Sequence, residues 1–89
     1  FVMRSVAAVF FPGGFGTLDE LFELLTLCQT GMKTKIPIIL FGKEYWKQII
    51  NFEYLADLGL IEDEHLNLFQ YADTASEAWE IIKSSKISD

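Results

Sequence analysis

The 89-residue sequence holds one cysteine, one histidine and two prolines, and its seven basic side chains face thirteen acidic ones. A lone Cys28 excludes an internal disulfide. It lies in an apolar helical pattern, so a packed thiol in a reducing compartment is expected, with the cytoplasm as the default location. The shortage of positive charge argues against nucleic acid as a partner. The formal net charge is −6, and an acidic surface repels polyanions. The imbalance is local: positions 1–42 are neutral, and positions 43–89 carry four lysines against ten carboxylates. A small phosphorylated ligand stays compatible with this balance, because backbone N–H groups hold phosphate without net positive charge. Long hydrophobic runs are also missing. The longest, at 6–12, falls far short of the ~20 residues that span a bilayer, so no membrane association is expected. No basic n-region or cleavage site marks a signal peptide.

What is present is globular material, 51% hydrophobic and 15% aromatic, enough for one small domain. The apolar run 6–11, stopped by Pro12, suits a strand covered on both faces. A helix is expected over 17–30, with Gly31 at its end. A second buried strand follows at 36–41, then a helix over 44–57 closed by Gly59. Residues 62–67 form a polar connection with room for one helical turn. A short strand at 68–71 precedes a last helix reaching about residue 84, opened by a Thr74–Glu77 capping box, and a frayed tail at 85–89. The order β-α-β-α-β-α, with strands too far apart for hairpins, predicts an α/β fold: a parallel sheet with helices on both faces. The first strand's open edge calls for a neighbour, so further sheet is expected to precede Phe1.

The chemistry concentrates where the first strand turns into the first helix, at Pro12-Gly13-Gly14-Phe15-Gly16-Thr17. Glycines let backbone come close to a ligand. The N–H groups of a helix's first turn have no internal partners and sit at its positive end. Ligands of open parallel sheets gather at the carboxyl ends of the strands. The turn lacks the Gly-Lys-Ser/Thr of a Walker A motif and has the wrong spacing for a dinucleotide fingerprint. From the residues alone, a phosphate or carboxylate site and a plain structural turn both stay open.

Glu20 also has two readings. Thr17 and Glu20 have capping-box spacing. On the helical wheel, however, Asp19, Glu23 and Thr26 share one polar arc, and Glu20 falls outside it among Leu24 and Leu27. A carboxylate on that apolar border is expected to be partly desolvated, suited to a general acid/base or a ribose-hydroxyl contact.

Residues 12–20 read PGGFGTLDE and resemble the PGGxGTxxE motif of the LOG family, cytokinin riboside 5'-monophosphate phosphoribohydrolases long described as possible lysine decarboxylases. The likeness continues through Leu21-Phe22-Glu23, the helix end at 26–31, the segment 35–42, Tyr45-Trp46, Gly59-Leu60-Ile61 and the helix at 75–82. It implies a Rossmann-like domain of which residues 1–89 are the C-terminal half. It implies hydrolysis of the N-glycosidic bond of a nucleoside 5'-monophosphate, a cytokinin ribotide or an AMP-like nucleotide, to free base and ribose 5-phosphate. Gly13, Gly14, Gly16 and Thr17 would hold the 5'-phosphate, and Glu20 would be the catalytic carboxylate. No metal or organic cofactor is implied, and nothing in the sequence looks like the lysine environment of pyridoxal phosphate.

The family's catalytic Arg-Lys pair would fall just before Phe1. Arg4 occupies a different position, so the chain by itself would hold half an active site. A non-catalytic nucleotide-binding or carrier protein is the rival reading. His65, without Cys or His neighbours, is expected as a solvated loop residue and not a metal ligand. Trp46 and Trp79 are expected in core or interface. The apolar face of the first helix (Leu18, Leu21, Phe22, Leu24, Leu25, Leu27, Cys28) is wider than one sheet needs, and a homodimer would bury the excess, as the family's dimers do.

Overall fold

The computed structural model describes residues 2–4, 7–31 and 36–87. Its sheet has four strands, β1 (Val2–Arg4), β2 (Ala7–Phe10), β3 (Ile38–Phe41) and β4 (Phe69–Ala72), in that spatial order. Strands β2, β3 and β4 run parallel, with Ala8 opposite Ile38 and Ile38 opposite Phe69. The connections carry helices α1 (Phe15–Gln29), α2 (Lys43–Ile49) and α3 (Phe52–Asp57), a 3-10 helix (Asp63–Leu68) and, after β4, helix α4 (Ala75–Ile87).

Strand alternation sends side chains to two layers. Ala8, Phe10, Ile38, Leu40 and Phe69 pack against Leu21 and Leu24 of α1, Trp46 of α2 and Phe52 of α3. Ile39 and Ala72 face the other way, onto Ala78 of α4. Both faces of β3 are therefore covered, which is why its sequence is a continuous apolar run without polar alternation. This is the expected α/β, Rossmann-like arrangement of parallel strands and helices.

The fourth strand departs from expectation. β1 pairs antiparallel with β2, Val2 opposite Val9 and Arg4 opposite Ala7, so one connection is a hairpin after all. Three residues are too short a segment for a period-two pattern to stand out. β1 supplies the neighbour that the edge of β2 required. Ser5 and Val6, between the two strands, lie outside the described residues.

The single helix expected at 44–57 is two. Ile50 adopts an extended conformation (φ −133°, ψ 124°), and the Asn51 side chain accepts a hydrogen bond from the Tyr54 N–H at 3.1 Å, opening α3. Trp46 and Phe52 are six residues apart, and at ~100° per residue they would point to different sides of one continuous helix. The break turns both inward: Trp46 is fully buried, and Phe52 stacks 4.3 Å from the Phe69 ring. α3 ends in a Schellman closure, with Gly59 N–H donating to Ala56 O and Leu60 N–H to Leu55 O.

At the C-terminal end, the Thr74–Glu77 capping box is present. Glu77 N–H donates to Thr74 Oγ1 at 3.1 Å, and Glu77 Oε1 accepts from Thr74 N–H and Asp73 N–H. α4 continues through Ile87 rather than fraying at 85. Residues 88 and 89 lie outside the described residues.

Candidate functional site

Helix α1 starts at Phe15, two residues earlier than its sequence pattern suggests, with Gly14 as N-cap and no side-chain cap. Its first intrahelical bond runs from Leu18 N–H to Gly14 O, 3.1 Å. The amides of Phe15, Gly16 and Thr17 come before that bond and have no intrahelical acceptor, so they sit at the positive end of a 15-residue helix. Acidic residues normally compensate such an end. Glu44, Glu53 and Glu77 do so in the first turns of α2, α3 and α4, whereas the first turn of α1 carries none. Among the described residues no side chain caps the N-terminus of α1, which is left positive, as an anion site requires.

The early start also removes one reading of Glu20. With Gly14 as N-cap, Thr17 is the third helical residue, and a Thr17–Glu20 capping box does not form.

The three glycines of the turn differ. A Cβ on Gly13 would lie 2.2 Å from Thr17 Oγ1 and 2.9 Å from its Cβ, so the close approach of the Thr17 side chain requires glycine there. At Gly14 and Gly16 an added Cβ meets nothing within 4 Å, and neither has positive φ. Gly16 lies inside the helix, where alanine would be favoured by up to ~1 kcal/mol. Nothing within the described residues accounts for glycine at that position. What glycine does supply is bare, approachable backbone. Gly16 and Glu20 are i and i+4, neighbours on one helix face, so the cleared surface over Gly16 leads from the open amides to the carboxylate.

Glu20 itself is exposed, as are Gly13, Gly14 and Gly16, while Thr17 is half-buried. The expected desolvation of Glu20 is therefore not present: the helix side bearing it has no cover among the described residues. Leu24, one turn on, is buried, and Leu27 is half-buried.

Neighbouring turns brace this one. Gly42, in the left-handed region at φ +95°, caps α2, and a Cβ there would lie 3.2 Å from the Pro12 ring. The Gly42 N–H donates to Ala72 O at 2.8 Å, and the Lys43 N–H to Asp73 Oδ1 at 2.9 Å. The Tyr45 hydroxyl accepts from the Gly13 N–H at 3.2 Å and donates to the Gly13 carbonyl. The carboxyl ends of all three parallel strands are thus linked, where ligands of such sheets bind. Tyr45 and Gly42 are the residues that pattern reading passes over. Their one signal is position: a glycine directly after β3 puts the first turn of α2 beside the turn after β2.

Among the other candidates, His65 has a structural role. The Nδ1 atom of His65 accepts from the Glu62 N–H at 3.0 Å and from Gln29 Nε2 at 3.3 Å. Because a backbone N–H only donates, Nδ1 is unprotonated, and the ring ties the 3-10 helix to α1. His65 is half-buried and bonded, not a solvated loop residue. Glu62 and Glu64 flank it and are exposed. Trp46 is core, while Trp79 is 55% exposed. Cys28 is half-buried against the core, free of any disulfide. Arg4 ends β1. Among the described residues, no helix is long and apolar enough to cross a membrane.

Three parallel strands with helices on both faces, beside an antiparallel edge strand, and an uncapped glycine turn opening α1 at their carboxyl ends define an α/β protein of Rossmann-like arrangement. Residues 1–82 match the family described as possible lysine decarboxylase, and the chain belongs to that family, the LOG family. It is similar to a probable cytokinin riboside 5'-monophosphate phosphoribohydrolase of Oryza sativa subsp. japonica, 32% identical over 72 residues, 80% of this chain and 31% of that protein. It is similar to the cytokinin riboside 5'-monophosphate phosphoribohydrolase of Rhodococcoides fascians, 36% identical over 56 residues, 62% of this chain and 28% of that protein. An Arabidopsis thaliana protein of the same name is 32% identical over 75 residues, 83% of this chain and 35% of its own length. The chain spans about a third of the length of these relatives. Among the lysines whose side chains are described, Lys43, Lys47 and Lys83 are exposed.

Proposed function

We propose that the full-length protein is a phosphoribohydrolase that cleaves the N-glycosidic bond of a nucleoside 5'-monophosphate, a cytokinin ribotide or an AMP-like nucleotide, to free base and ribose 5-phosphate. Residues 1–89 form the C-terminal half of its single Rossmann-like nucleotide-binding domain. The observation that carries this reading is the bare surface over Gly16, which joins open helix amides to a carboxylate on one face. The names of the relatives point to the same bond and the same phosphate.

The 5'-phosphate sits on the turn formed by Gly13, Gly14, Gly16 and Thr17, with the open helix amides directed at it and the Thr17 hydroxyl as an added donor. The ribose lies over Gly16 toward Glu20. Water then attacks C1' of the ribose as the C1'–N bond breaks, and the base leaves with the bonding pair and takes up a proton. Positive charge develops on the sugar, and the Glu20 carboxylate stabilises it and orients the water. No metal or organic cofactor takes part. A cytoplasmic homodimer, joined through the exposed apolar residues of α1, is the proposed assembly.

The experiment is base release from AMP and from a cytokinin ribotide by full-length wild type and Glu20→Ala. Wild type is expected to release base, and the variant to lose at least ~100-fold in kcat. Nucleotide binding without base release from the wild type would mean a carrier or sensor. Undiminished release by Glu20→Ala would remove Glu20 from catalysis.

A further inference from the structure

We propose that Tyr45 is the positioning residue of the phosphate site, its hydroxyl fixing the Gly13 peptide groups and through them the direction of the turn's amides. The inference rests on reading that turn as the phosphate site, and it adds a residue from a different βα unit.

Gly13 and Gly14 are consecutive glycines in an exposed turn, and α1 has no side-chain cap to hold its entry. Such a segment left to itself samples many backbone conformations. One oxygen, the Tyr45 hydroxyl, closes both polar groups of Gly13 across 32 positions of sequence: it accepts from the N–H at 3.2 Å and donates to the carbonyl.

The oxygen is itself well held. The Tyr45 ring meets the Trp46 ring edge-on, 5.0 Å between centroids and 89° between planes. Trp46 is fully buried, and its indole N–H donates to Phe41 O at 3.1 Å. Pro12, directly before Gly13 in the turn, lies against Gly42 at the start of the same helix. α2 therefore braces the turn at two points from a rigid base. Amides aimed in advance cost no reordering when the anion arrives. Without the hydroxyl, the Gly13 groups turn to water, and phosphate binding must order the turn itself. Tyr45 touches neither ribose nor base in this arrangement, so its loss weakens phosphate anchoring and leaves the chemical step intact.

The test uses the full-length protein, wild type and Tyr45→Phe, which keeps the ring on Trp46 and removes only the oxygen. The ribose 5-phosphate Kd and the KM for AMP are expected to rise about tenfold, the effect of one or two lost hydrogen bonds. Turnover is expected within about twofold of wild type, and adenine affinity unchanged. An unchanged ribose 5-phosphate affinity overturns the proposal, and so does an equal loss for adenine, which would mean general slackening of the fold. A wild type that binds ribose 5-phosphate but releases no base sinks the phosphoribohydrolase reading alone, and the comparison of ribose 5-phosphate affinities still decides the role of Tyr45. A wild type that does not bind ribose 5-phosphate sinks both. Amide hydrogen exchange of Gly13 in the wild type adds a measurement independent of any variant: slowed exchange is expected, and exchange at the open-chain rate counts against the brace.

Discussion

A methyl group at Gly13 collides with Thr17, 2.2 Å from its Oγ1, while one at Gly16 meets nothing within 4 Å. The same substitution at the two positions therefore has opposite consequences for stability. Gly13→Ala in the full-length protein forces Thr17 or the turn to shift, and a loss of ~1–3 kcal/mol is expected. Gly16→Ala places alanine inside a helix and is expected to hold or raise stability by up to ~1 kcal/mol. Both are expected to weaken nucleotide binding, Gly13→Ala by moving the amides and Gly16→Ala by standing a methyl on the path to Glu20. Urea unfolding midpoints set beside ribose 5-phosphate affinities check this pair. A Gly16→Ala protein with wild-type affinity would falsify the path over Gly16. The glycine turn was legible from its residues as a candidate anion site, with a plain structural turn as the other reading. The division of labour among its glycines was not, because it depends on where the Thr17 side chain falls once α1 starts at Phe15.

Aromatic packing ties β4 to the α2–α3 pair. Phe69 stacks on Phe52, Tyr71 stands 5.8 Å from Phe69, and Lys47 Nζ lies 5.4 Å above the Tyr71 ring. Burial, and after it the Glu53 carboxylate, raises the Tyr71 hydroxyl above its ordinary value of 10.0. The folded state thus favours the neutral phenol, and the unfolded chain gives up that proton first. The contribution to stability is complete below about pH 10 and is lost as pH rises through the higher folded-state value. Tyr71→Phe removes the titration, so the variant's stability is expected to fall less steeply above pH 10 than the wild type's. Urea midpoints measured across pH 9–11 read the difference, and parallel slopes would remove Tyr71 from alkaline unfolding.

Most of these elements were legible from periodicity. Two long connections between three short apolar runs leave little choice but parallel strands. The break at Ile50 was not legible, since a helix-compatible stretch was overruled by the need to bury both Trp46 and Phe52. β1 was missed for a different reason: its three residues gain meaning only from the edge they cover.

At the scale of the whole molecule, the described surface is more apolar than its own core requires. Phe15 is 92% exposed, Phe22 42% and Trp79 55%. Phe22 also borders a small apolar cavity of about 120 Å³ with Leu25, Phe52 and Leu55. Burial against a second subunit is the proposed use of the α1 surface. Full-length protein is expected to sediment as a dimer at micromolar concentration, and Phe22→Asp to shift it toward monomer. A wild type that stays monomeric there ends the dimer proposal.

The sequence by itself determined the α/β class, the parallel order of three strands and the location of the glycine turn. These follow from local properties: the period of the apolar residues, the lengths of the connections and the backbone freedom of glycine. Only the tertiary structure decided that α1 begins at Phe15, that Gly16 lies bare beside Glu20, and that a tyrosine 32 positions away holds Gly13. Those depend on which turns the parallel sheet brings together at the carboxyl ends of its strands, a juxtaposition that no local pattern in the chain contains.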